Sequence, residues 1–250
     1  MGKQDSVIQL TGAVGNLSFY KTRDGYMARK KGGVSADRIK FDPKYARTRE
    51  NLAEFGRAGR AAKVFRSAFL TVVPSADSRM TSRLIAAMRE VIRQDLVNPH
   101  GERNVIDGEA LVLQGFEFNL GSTLKTTFRP QVTASIDRAA GNMVVDIPAF
   151  EEKLVAKPDG ATHFRLISAG VAIDFGEGVY TLGMAKSDNL PISQAAHEPL
   201  QLSQAVTPGS AHPLFLALGI EFLQVINNVQ KPLNNGAFNA MAILKVDGGA

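Results

Sequence analysis

Near residue 104 the spacing of apolar residues along this chain changes from a period near 3.6 to a period of two. A face that repeats every three or four residues belongs to an amphipathic helix, and strict alternation belongs to a strand with one buried face. Helices just ahead of this point and strands beyond it are therefore expected, in an α+β protein that is mainly β. Leu52, Phe55, Gly59, Ala62, Phe65 and Phe69 fall on one helical stripe, and Met80, Leu84, Met88, Val91 and Ile92 on a second. Asp42-Pro43 is a helix start, with a capping carboxylate followed by a ring that fixes φ for the first turn. Two helices joined around Pro74 make an α-helical hairpin, assigned to 34–103. The small residues on the first stripe would let another helix approach closely.

Beyond residue 104, Val132, Ala134 and Ile136 alternate with polar neighbours. The same alternation returns in Met143, Val145 and Ile147, in Val171, Ile173 and Phe175, and in Tyr180, Leu182 and Met184. The stretch 214–226 is apolar at nearly every position except Glu221 and Gln224, as expected of a central strand covered on both faces. Residues 238–246 supply its partner. Strands of this length separated by Gly, Pro and Asn predict an antiparallel β-sandwich over 104–250.

Ahead of the helices, Leu17 and Phe19 alternate with Ser18 and Tyr20, Arg23-Asp24-Gly25 turns the chain, and Tyr26 leads back. This is a β-hairpin arm over 1–33, ending at Gly32-Gly33. Charge is divided unevenly along the chain. Residues 1–103 hold 20 of the 29 Lys and Arg against 10 acids, and 104–250 hold 9 against 14. A basic front part suits a partner-facing segment, or two oppositely charged parts that attract each other between copies.

The residue types that carry chemistry do not converge. There is no cysteine, and His100, His163, His197 and His212 are scattered without ligand spacing. Gly12 to Asn16 lacks the Lys-Ser or Lys-Thr of a phosphate loop, and neither Glu151-Glu152 nor Asp174 with Glu177 is framed by a recognisable cleft. The expectation is a protein that is not an enzyme, with no catalytic residue, cofactor, metal ligand or small-molecule substrate. No apolar leader opens the chain and no stretch is long enough to span a bilayer. Cytoplasmic synthesis without a signal peptide and no membrane partner are expected, with release from the cell left open.

The run Gly15-Asn16-Leu17-Ser18-Phe19-Tyr20-Lys21-Thr22-Arg23-Asp24-Gly25-Tyr26 and the later Leu216-Ala217-Leu218-Gly219-Ile220-Glu221-Phe222 resemble an uncharacterised protein family of the Bacteroidota. The resemblance spans nearly the whole chain and implies a bacterial origin. It carries no activity or site residues.

These features favour a structural protein that assembles with copies of itself into a homo-oligomer or filament through the arm. Leu17, Phe19, Tyr20, Tyr26, Arg29, Lys30 and Lys31 are the residues expected to mediate it. A hairpin outside a larger sheet is marginal alone and pairs with an available edge. The second expectation is a nucleic-acid-associated protein of phage or mobile-element type, using residues 21–66, where 14 Lys and Arg stand against five acids. A β-sandwich module that binds a ligand is the third.

Overall fold

A computed structural model describes residues 2–30, 32–72, 76–227 and 229–249. The fold is α+β and mainly β, with every strand pair antiparallel. Its contacts divide it into two compact units, 1–49 and 50–250. The three-part division expected from the sequence sets its boundaries at 33/34 and 103/104 instead.

The first unit begins with four strands: β1 (Gly2–Lys3), β2 (Gly12–Val14), β3 (Leu17–Thr22) and β4 (Gly25–Lys30). They form one sheet in the order β1-β4-β3-β2, so the expected hairpin is the middle of a larger element. Gly15, at φ 54°, opens the two-residue turn from β2 into β3, a conformation that costs glycine least. A short helix α1 (Ala36–Phe41) follows, with Ser35 Oγ accepting from the Arg38 N–H. Asp42 then caps a 3-10 turn, Pro43–Tyr45, that leads into α2 (Ala46–Phe69).

In the second unit α2 is followed by α3 (Met80–Arg93) and a single turn, α4 (Leu124–Thr127). The remaining strands are β5 (Thr133–Asp137), β6 (Asn142–Ile147), β7 (Phe150–Glu151), β8 (His163–Asp174), β9 (Val179–Lys186), β10 (Leu190–Pro191), β11 (Ala196–His197), β12 (Leu200–Ala205), β13 (Leu214–Ile226), β14 (Val229–Pro232) and β15 (Ala240–Asp247). Strands β8 and β13 are the centre of a six-stranded sheet, with β9 and β10 on one flank and β14 and β15 on the other. Strands β12, β6 and β5 make a separate three-stranded sheet.

The six-stranded sheet is covered on both faces. Ile167, Ala169, Val171 and Ile173 of β8 join Phe215 and Ala217 of β13 in a core shared with α2 and α3. The alternate residues Phe164, Leu166, Leu214, Leu216, Leu218 and Phe222 join Met143, Val145 and Leu202 of the smaller sheet in a second core. Two buried faces explain why β13 is apolar throughout. The ladder between β13 and β15 shifts register between Leu216 and Ala217. The extra residue turns Val246 toward the helix side, with Met241 and Ile243.

The second helical stripe is buried as expected, at Met80, Leu84, Met88, Val91 and Ile92. The first is rotated. Leu52 and Phe55 are about half exposed, whereas Glu54, Ala58, Ala61, Ala62, Phe65, Ala68 and Phe69 are buried. Alanines at 58, 61 and 68 share the buried face with Phe65, which meets Phe215 edge-to-face with ring centroids 5.1 Å apart. Pro74, expected in the connection, lies outside the described residues.

The two sheets meet closely at Gly170 and Gly183. A Cβ on Gly183 would sit 2.3 Å from the Ala205 carbonyl oxygen, which is backbone and has no rotamer to retreat into. Gly183→Ala is expected to lower stability by about 1–3 kcal/mol through this overpacking, read as a lower melting temperature with the secondary structure retained.

Candidate functional site

Among the described residues of 2–49 not one is buried. A four-stranded sheet normally hides one face, and this one has no interior of its own. Pairing places directly opposed residues on the same face. Val14, Leu17, Phe19, Lys21, Tyr26 and Lys30 therefore share one face, and Lys3, Ser18, Tyr20, Met27 and Arg29 the other. The residues expected to mediate association are thus divided between two faces, with Leu17, Phe19, Tyr26 and Lys30 together and Tyr20 with Arg29 behind them. Lys31 lies outside the described residues.

Each face carries a cation over an aromatic ring. Lys21 Nζ is 5.3 Å from the Tyr26 centroid, and the Arg29 guanidinium 5.6 Å from that of Tyr20. Val14 and Leu17 are 64% and 43% exposed on the face that also carries Lys21 and Lys30, an apolar surface with cations on it. By sequence Gly12 to Asn16 reads as a tight turn or bulge between strands, without Val14 as a contact residue; in the structure the turn is confined to Gly15-Asn16 and Gly12–Val14 is the strand β2.

The second unit carries concave sites. One of about 780 Å³ opens between β13, β15 and the segment 124–132. Leu218, Ala242, Phe128 and Val132 line it, with Glu117 at its side. Both Glu117 carboxylate oxygens accept from the Leu124 N–H, at 3.1 and 3.0 Å, so this acid closes the start of α4. Burial pushes it above the usual carboxylate range.

A smaller cavity of about 260 Å³ is walled by Asp174, Val179, Tyr180, Thr181, Ser210 and His212. Asp174 Oδ1 accepts from the N–H groups of Gly176 and Glu177, which hold the acid ionised below the usual range. Its Oδ2 is 3.7 Å from His212 Nε2, a weak pairing. Ser210 Oγ accepts from the backbone N–H of His212 rather than facing its ring. Among the described residues no hydrogen bond joins Ser210 Oγ to the His212 imidazole. Asp174 and Glu177 sit in one tight turn and do not flank a cleft. His100 instead meets Glu50, at 2.9 Å. Among the described residues no three His, Asp or Glu side chains are grouped to hold a metal ion, and no helix is long and apolar enough to cross a membrane.

His197 is buried, 2% exposed and packed between Phe150 and Phe164 at centroid distances of 4.9 and 5.3 Å. Neither ring nitrogen has a hydrogen-bond partner among the described residues. Burial pushes the imidazole below its ordinary value of 6.5, weakly opposed by the charge of Glu152. The unfolded chain then binds the additional proton, so stability falls as pH drops below 6.5 toward the depressed folded value. Denaturant melts between pH 5 and 7 are expected to show this loss, and His197→Phe to flatten it.

No protein-family model, curated protein or solved structure matches this chain.

Proposed function

We propose that this protein is a non-enzymatic structural subunit that assembles with copies of itself through its N-terminal sheet, as a homo-oligomer or filament. The observation that carries this reading is the sheet without a buried residue. Its strands present Val14, Leu17, Phe19 and Tyr26 on one face, and apolar surface of that kind gains from being covered. Charge favours another copy as the cover. Residues 1–49 hold 11 Lys and Arg against 4 Asp and Glu, whereas 50–250 hold 18 against 20. Sedimentation equilibrium of the intact protein is expected to show association that weakens as salt rises from about 0.05 to 0.5 M, because exposed charge contacts are screened. A single-chain mass at every concentration and salt would overturn the reading.

A second reading has its own observation. Arg60, Lys63 and Arg66 lie exposed on α2 and form no ion pair among the described residues. Such a row can neutralise phosphates, which makes nucleic acid the alternative partner. Retention on a DNA or RNA column that falls steeply with salt supports it, and elution at low salt opposes it.

A further inference from the structure

We infer that the outer edge of β9 is the surface on which the N-terminal sheet of a second copy docks, by adding a strand to the six-stranded sheet. This rests on the self-assembly reading and names the receiving surface.

The edges of that sheet are treated differently. Along β15 the outer side is taken by the segment 115–118, through Gly115 N–H to Ile243 O at 2.8 Å, Ile243 N–H to Phe116 O at 3.0 Å and Phe118 N–H to Met241 O at 2.9 Å. Strand β14 exposes Lys231 and ends in Pro232, residue types that deter pairing. Strand β9 has neither protection. It runs for eight residues, pairs only with β8 among the described residues, and has no proline. Its only cation is Lys186, at the far end. Val179, Tyr180 and Met184 are 58%, 43% and 46% exposed. A long apolar edge of this kind is a template for another strand, with backbone groups providing affinity and neighbouring pockets providing register.

The surroundings of β9 select a basic strand. Asp174 and Glu177 stand at one end and Asp188 just past the other. The cavity beside Val179, Tyr180 and Thr181 holds Asp174, whose Oδ1 is taken by two backbone N–H groups while, among the described residues, Oδ2 makes only the long contact to His212. A Lys or Arg side chain from the incoming sheet would complete that pairing. The N-terminal sheet offers Lys3, Lys21, Arg29 and Lys30, and among the described residues β2 pairs with β3 at Leu17, Ser18 and Phe19, short of Lys21.

The test uses two full-length variants. In the first, Tyr180→Lys with Met184→Lys puts charge on exposed positions of β9 and leaves the arm intact. In the second, Val14→Glu with Leu17→Glu alters the arm and leaves β9 intact. Far-UV circular dichroism and melting temperature establish that each is folded. Each variant alone is expected to associate at least 10-fold more weakly than the unaltered protein in sedimentation equilibrium. An equimolar mixture is expected to form a heterodimer, since one copy supplies the arm and the other the edge. If the unaltered protein and the β9 variant associate equally well, the arm docks elsewhere and this inference fails while the self-assembly reading stands. If the unaltered protein is monomeric throughout, both fail.

Discussion

Removal of residues 1–31 is expected to leave a folded protein that has lost its self-association. Both halves of the prediction come from where burial lies. Among the described residues every buried hydrophobic one falls between Ala58 and Val246, and none of those in either core lies in the deleted segment. The melting temperature should stay within a few degrees of the intact protein, because surface elements outside the core change stability little. What the deletion does remove is the sheet carrying Val14, Leu17, Phe19 and Tyr26, and with it 5 Lys and Arg of β1, β3, β4 and the turn at Arg23. On the proposed reading the solution mass falls to that of one chain, measured by light scattering at concentrations where the intact protein is assembled. Undiminished association of the truncated chain would locate the interface in 32–250 and dispose of the arm. A truncated chain that unfolds would show that the sheet serves its own copy.

The β part was legible because alternation is a local signal. The limits of β13 agree with the apolar run over 214–226, and β15 lies where a partner strand was expected. The shorter strands β12 and β14 were not legible, since Gln201, Ser203, Lys231 and Pro232 give a polar text that only the pairing with β6 and β13 makes extended. The candidate site was legible in part. The arm strands could be read, but the absence of a core beneath them is a property of the whole fold. The open edge of β9 depends on which strands occupy the other edges, and no window of sequence contains that. Leu52 and Phe55 misled because size was taken for burial. On α2 the buried face carries alanines at 58, 61 and 68 beside Phe65 and Phe69, and the larger residues at the helix start, Leu52 and Phe55, lie off it.

Glu54→Ala is expected to be among the most destabilising single changes in the second unit, by about 3 kcal/mol or more. By sequence alone Glu54 is a partner for neighbouring cations on a solvated helix face, with Glu50. In the fold it is 8% exposed and holds a residue 49 positions away. Its Oε1 accepts from Arg103 Nε at 2.8 Å and from the Gly101 N–H at 2.9 Å, and its Oε2 from Arg103 Nη2 at 3.0 Å. These bonds tie the loop after α3 to α2. The Arg103 hydrogen bond holds the carboxyl below its ordinary value of 4.5, against the opposing effect of burial. Because the folded value is depressed, the stabilisation is present above about pH 4.5 and is lost as pH falls through the folded value. Alanine would strand the Arg103 guanidinium, whose side chain is 19% exposed, and leave the Gly101 N–H without its acceptor. Glu54→Gln retains an oxygen for Gly101 but turns an amide N–H toward Arg103, and should fall between alanine and the native residue. A double-mutant cycle with Arg103→Ala separates the pair from its surroundings. If the double variant loses clearly less than the two single losses together, the charge left behind is the main cost. Additive losses would mean that Glu54 acts through its own packing and the Gly101 contact, with no coupling to the arginine.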